Sequence, residues 1–243
     1  MKSQNHILQL QNLCVGYGKP LLQNVSISLQ SPCLVGIIGN NGKGKTTLLK
    51  NSAGLQKPLS GQILFNEKNI FETSAAERSK IVSLGFAANH ITFPISVFEL
   101  VSMGRYPYNN HWAGLSKADE EIISESIDLC GIKSLQHNFV TSLSDGERQK
   151  AFIAKNLAQQ TPVMLFDEPT AFLDYASKKH FFQTMKNLAE EQQKIILISS
   201  HDIDFLTTYT NGLLMIEDDE TVLYDKTSQI MQTEYFNTHF TKR

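Results

Sequence analysis

Residues 39–46 read Gly-Asn-Asn-Gly-Lys-Gly-Lys-Thr, a spacing suited to gripping a triphosphate. Gly39, Gly42 and Gly44 let the backbone turn tightly, so that successive N–H groups point inward at phosphate oxygens. Lys45 supplies a cation for the β- and γ-phosphates, and Thr46 a hydroxyl ligand for Mg²⁺. Asn40, Asn41 and Thr47 complete the candidate nucleotide-binding run. Lys43 is an extra cation at a free position of the motif, expected to be solvated rather than catalytic.

Two further groups of polar residues follow apolar runs. Val163-Met164-Leu165-Phe166 ends in Asp167 and Glu168. A buried strand can carry carboxylates only at its solvent end or beside a cation. At the C-terminal end of a parallel strand they face the crevice where ligands bind. Asp167 then holds Mg²⁺ through water, and Glu168 polarises the attacking water as general base. Residues 195–199 lead into Ser200-His201-Asp202, which sets His201 at the same sheet end. Taken alone, that histidine is either a contact to the γ-phosphate or an ordinary capping residue.

These groups need a scaffold, and the chain of 243 residues is long enough to provide one without disulfides. Residues 34–38, 163–166, 195–199 and 213–216 read as strands apolar on both faces, as a sheet covered by helices requires. Residues 45–51, 146–159 and 177–190 carry helical patterns; in the last, Phe181, Phe182, Met185 and Leu188 recur at core-facing spacing. Residues 6–15 and 25–30 alternate apolar with polar, which predicts a half-exposed antiparallel layer. Strand signals vanish between Phe98 and Leu135, where Ser116 and Asp119 form a capping box ahead of Ile122, Ile123 and Ile127. The expectation is a single α/β domain over 1–243. Its parts are an antiparallel flank with the phosphate loop (about 1–80), a helical arm (about 88–145), the rest of a parallel core (about 146–225) and a C-terminal tail (226–243).

Composition narrows the setting. A formal net charge of −2 argues against nucleic acid as the main partner. Three separated cysteines, Cys14, Cys33 and Cys130, are expected to be reduced and buried in a cytosolic protein. Met1–Leu10 lacks the apolar core of a secretory signal, and no apolar run approaches a membrane span. If the protein serves a membrane, another chain supplies the spanning part.

Residues 143–149, Leu-Ser-Asp-Gly-Glu-Arg-Gln, lie ahead of Asp167 and start a helical pattern. They resemble the signature motif of ABC ATPases, and the other motifs then fall into that family's order. The resemblance covers roughly residues 5–225 and implies a P-loop NTPase fold with a RecA-like parallel core, an antiparallel β flank and an inserted α-helical subdomain. It implies ATP hydrolysis with Mg²⁺, with Tyr17 matching the aromatic that stacks on adenine and His201 the switch histidine. It also implies a homodimer packed head to tail. Ser144, Asp145, Gly146 and Glu147 would then act on ATP held by the other protomer, and Asp174 would link the two sites.

A finer resemblance, through Phe98 to Tyr108 with its Gly104-Arg105-Tyr106-Pro107 core, is to importers of iron-siderophore complexes, haem and vitamin B12. It implies transmembrane permease subunits docked on the arm at Phe98, Arg105 and Tyr106, and indirectly an extracytoplasmic binding protein. The chain would work in the cytoplasm at the inner face of the membrane. An ABC ATPase for a different cargo, or an ATP-gated switch or scaffold, remains the alternative. Two departures stand out: Asp145 replaces the usual first signature glycine, and no Gln lies between Gln62 and Gln136. The family's loop glutamine would fall near Ala87, with Asn89 the nearest amide.

Overall fold

The computed structural model describes residues 5–87, 92–109, 114–218 and 220–240. The chain begins with β1 (Ile7–Tyr17), β2 (Lys19–Gln30), β3 (Cys33–Gly39), α1 (Lys45–Ser52), β4 (Ser60–Phe65) and β5 (Lys68–Asn69). Then come α2 (Ala75–Ile81), β6 (Val82–Phe86), α3 (Val97–Ser102), a 3-10 turn at Met103–Tyr108, and α4 (Lys117–Leu129). Next are α5 (Asp145–Ala158), β7 (Val163–Asp167), α6 (Tyr175–Glu191), β8 (Ile195–Ser199) and α7 (Ile203–Tyr209). β9 (Gly212–Ile216), β10 (Val222–Lys226), α8 (Thr227–Ile230) and α9 (Glu234–His239) close it.

Strands β3, β7, β8 and β9 are apolar up to the Asp167 and Ser199 that end β7 and β8, because both their faces are covered. In β7, Met164 and Phe166 enter one core while Val163 and Leu165 enter the other. β8 divides Ile196 and Ile198 from Ile195 and Leu197 in the same way. These strands form the middle of a six-stranded sheet in the order β10-β9-β3-β8-β7-β6, parallel except for β10. One face packs on α1 and on the second sheet, β2-β1-β4-β5; the other packs on helices α3 to α7. The parallel order brings the C-terminal ends of β3, β7 and β8 side by side, so Asp167 pairs in register with Ser199.

The alternating flank is antiparallel as expected, but longer than the alternation implies. β1 runs on to Tyr17 and β2 starts at Lys19. Asn12 (φ 48°) and Asn24 (φ 55°) sit in the left-handed region where the strand register shifts. Each such bulge inserts a residue and changes which parity faces inward. Leu8 and Leu10 are therefore buried before Asn12, and Leu13 and Val15 after it. Two smaller features concern element ends, the first against an expected strand over residues 81–86. Ile81 closes α2, whose capping box is Ser74 with Glu77, so β6 starts at Val82. The C-terminal residues fold back, with Ile230 and Phe236 buried in the larger core.

The helical arm forms where the strand signal stops. α3 and α4 both begin with capping boxes, Ser96 with Glu99 and Ser116 with Asp119, and both pack on α5. Arg105 ties the arm together. Its Nε donates to Asp119 at 2.8 Å, its Nη1 donates to the carbonyl of Ala158 at 2.8 Å, and its guanidinium lies 4.2 Å from the Tyr108 ring centre. Among the described residues, no helix is long and apolar enough to cross a membrane.

Candidate nucleotide site

The phosphate loop leaves β3 at Gly39 and enters α1 at Lys45. Gly42 (φ 79°) and Gly44 (φ 96°) adopt left-handed backbone that a side chain would strain, which is what turns the loop back over the helix end. α1 has no acidic residue in its first turn, so its N-terminal N–H groups face an anion site with no competing carboxylate. Lys45 is buried and spans the loop, donating to the carbonyls of Gly39 at 2.6 Å and Asn40 at 3.4 Å. Burial lowers the pKa of its ammonium, and the carboxylates of Glu168 and Asp167 oppose that shift.

A cleft of about 200 Å³ joins the pieces that the sequence spacing nominates. All of residues 40–47 line it, with Leu21, Asp167, Glu168 and His201. Thr46 Oγ1 donates to Asp167 Oδ2 at 2.7 Å, and Ser199 Oγ donates to Oδ1 at 2.7 Å. Glu168 has φ 50°, a left-handed backbone directly before Pro169, where side-chain-bearing residues rarely sit. Its N–H is fixed by the carbonyl and hydroxyl of Ser199, each at 3.1 Å. His201 Nε2 stands 3.3 Å from Glu168 Oε1, close enough to interact, yet that buried oxygen has no partner of hydrogen-bonding geometry. Burial raises the Glu168 pKa above the ordinary carboxyl range; His201 and Lys45 oppose the shift and Asp167 adds to it.

An orphaned carboxylate oxygen beside a strained backbone suits a group that must hold a water or a cation. Thr46 and Asp167 together offer the hard oxygen donors that Mg²⁺ prefers. Among the described residues no cluster of His, Cys, Asp or Glu could hold a metal without help. A donor set of one hydroxyl and one carboxylate therefore fits an ion completed by waters and substrate phosphates. Ser199 is the member that sequence reading missed; its signal is a run of two hydroxyls ending an otherwise apolar strand. Thr170 and Lys178, which donate to Asp202 at 2.7 Å each and so hold the turn after His201, were missed as well.

The remaining nominated residues lie elsewhere. Tyr17 is 63% exposed at the tip of the β1–β2 hairpin, on the same hairpin as the cleft-lining Leu21. Ser144, Asp145, Gly146 and Glu147 begin α5 and do not line the cleft. Ser144 Oγ donates to Glu147 at 2.7 Å in a capping box, and Asp145 is turned aside by Arg148 at 2.8 Å. Asp174 caps α6 by accepting from Ser177 N at 2.7 Å and is likewise outside the cleft. Ala87 N donates to the carbonyl of Asp167 at 3.1 Å, which puts the expected glutamine position beside the acidic strand end. Asn89 lies outside the described residues.

Three expectations are corrected. Arg105 is not free to meet a partner: it is 6% exposed and its donors serve Asp119 and Ala158. Phe98 packs partly buried against the larger core, leaving Tyr106, 64% exposed, as the presented member of that set. Of the cysteines only Cys130 is fully buried; Cys14 and Cys33 are half-buried, and all three are free thiols. Burial pushes the Cys33 and Cys130 thiols up to about 12, so neither is a thiolate at neutral pH.

Comparison with known proteins agrees with this geometry. The ABC transporter family profile matches residues 22–171. The chain is 34% identical over 196 residues to the petrobactin import ATP-binding protein FpuC of Bacillus anthracis, covering 81% of this chain and 72% of that one. It is 31% identical over 230 residues to the ferric enterobactin transport ATP-binding protein FepC of Escherichia coli, covering 93% and 84%. The solved structure of cbiO1 from Clostridium perfringens, part of the complex cbiONQ, superposes with a TM-score of 0.80 at 25% identity, covering 98% and 96%. With a phosphate loop, an acidic strand end and a histidine gathered on one cleft, and relatives matched along most of their length, the chain belongs to the ABC transporter family as an ATP-binding, ATP-hydrolysing cassette.

Proposed function

We propose that this cassette powers an importer of metal-chelate cargo, with ferric siderophore, haem and cobalamin as the candidate class. The single observation carrying it is the similarity along most of the chain to ATPases named for petrobactin and ferric enterobactin transport. In the cleft, loop N–H groups and Lys45 bind the phosphates. Thr46 and Asp167 would hold Mg²⁺, which when bound neutralises charge on the β- and γ-phosphates. Glu168, whose free oxygen and raised pKa suit a base, takes a proton from the attacking water at Oε1. His201, 3.3 Å away, orients that carboxylate or contacts the γ-phosphate.

The signature residues Ser144 and Gly146 stand outside their own chain's cleft, which supports their acting on a second copy in a head-to-tail dimer. Tyr106 on the arm supports a docking place for membrane-spanning permease subunits, and a cytoplasmic site at the inner face of the membrane follows from that partnership. The test is uptake of labelled ferric siderophore by source cells lacking this chain. Uptake is expected to vanish and to return with the parent protein but not with Glu168→Gln. Normal ferric-chelate uptake beside loss of an unrelated cargo would overturn the assignment.

A further inference from the structure

Two side chains of the phosphate loop reach outward to one residue. Asn40 Nδ2 donates to Asp218 Oδ1 at 3.0 Å. Lys43 Nζ donates to the Asp218 backbone carbonyl at 2.8 Å and lies 3.4 Å from Oδ1. Asp218 follows β9, whose Ile216 pairs with Gly39 where the loop begins. The second carboxylate oxygen looks toward α9, with His239 Nε2 at 3.9 Å from Oδ2. His239 Nδ1 donates to the carbonyl of Tyr235 at 2.9 Å, and the two rings stack at 4.0 Å. The Tyr235 hydroxyl is buried without a partner of hydrogen-bonding geometry; burial and then the Asp218 carboxylate raise its pKa. α9 is anchored by Phe236, 4% exposed in the core. Lys43, at the rim of the phosphate cleft and partly exposed, is thus held by Asp218 rather than left free. It is half of a tether.

We propose that Asp218 is a positioning residue for the phosphate loop and that α9 braces it, so the seating of the C-terminal helix is felt in nucleotide affinity. The proposal rests on residues 39–47 being the nucleotide site. A loop with three glycines has much backbone freedom to lose when its N–H groups converge on phosphates. Holding its outer edge beforehand removes part of that ordering cost. Deleting Asp218 also removes a negative charge from the neighbourhood of a triphosphate, which would tighten binding. The screening length is about 8 Å in 0.15 M salt, which mutes that effect for a half-exposed carboxylate. Loss of positioning should therefore win.

The experiment is titration of ADP into the full chain at that salt, with steady-state ATP hydrolysis measured beside it. Asp218→Ala should weaken ADP binding about 3- to 10-fold, the worth of one ordinary hydrogen bond, and raise KM for ATP more than it lowers kcat. Asp218→Asn keeps an acceptor for the loop and should recover most of the loss. The double change Tyr235→Ala with His239→Ala should weaken binding less, and add nothing in the Asp218→Ala background. Unchanged or tighter binding by Asp218→Ala overturns the tether, and full additivity overturns the brace. Lys45→Ala separates the claims. If it binds like the parent, the nucleotide site itself is misplaced; if it fails to bind while Asp218→Ala matches the parent, only the tether falls.

Discussion

Glu168 combines three conditions that rarely coincide: a left-handed φ of 50° before a proline, a buried carboxylate oxygen without a hydrogen bond, and a raised pKa. Such strain persists only where the surroundings over-determine it, here through the paired contacts of its N–H to Ser199. The pKa has a consequence for stability. A carboxyl raised in the folded state favours folding while protonated, below its ordinary value of 4.5, and that contribution is lost as pH rises through the raised value. At neutral pH the ionised group is a cost. Glu168→Gln should therefore melt higher than the parent at pH 7.5, by about 2 °C, with the two curves converging near pH 4. Its turnover should fall about 10²–10⁴-fold. Equal melting temperatures at both pH values would mean that the carboxylate is not held at a cost.

At the scale of elements, the arm depends on a buried ion pair. Arg105 and Asp119 have side chains 7% and 9% exposed. The Ser116 hydroxyl first, and Arg105 next, lower the Asp119 pKa. A depressed carboxyl adds stability above its ordinary value of 3.8, and that stability is lost as pH falls through the lowered value. Asp119→Asn strands the guanidinium and should cost about 3 kcal/mol in urea unfolding at pH 7, narrowing below pH 3.8. A difference independent of pH would deny the charge its role. The Ser116–Asp119 box and the doubly buried strands were legible in the sequence because each rests on local spacing. The bulges at Asn12 and Asn24 were not, since they break the alternation used to read a strand. Nor was the Asp218 tether, whose partners are 178 and 175 residues apart. At the β6–arm junction Ala87, near which the family's glutamine is expected, donates its N–H to the carbonyl of Asp167. Ala87→Gln should change permease-stimulated turnover several-fold while basal turnover moves less; a larger effect on basal turnover would place that position in the chemistry instead.

For the whole molecule, the decisive feature is what one chain leaves apart. The phosphate loop, Asp167, Glu168 and His201 share a cleft, whereas Ser144, Gly146 and Asp174 do not line it. On the proposed reading a single copy holds a hydrolytic half-site and presents the other half at the start of α5, where Arg148 draws the Asp145 carboxylate aside. On that proposal, completion by a second copy would make ATP the glue of the dimer and hydrolysis the release, a cycle that the arm would pass to a membrane partner. Glu168→Gln separates the two halves of that cycle, because it keeps the nucleotide contacts and removes the base. Light scattering of this variant, without and with Mg-ATP, is the most direct measurement. The account predicts a molar mass near the monomer's 27.3 kDa without nucleotide and twice that with it, while the parent returns to monomer as ATP is consumed. A variant that binds Mg-ATP yet stays at the monomer mass would contradict the account.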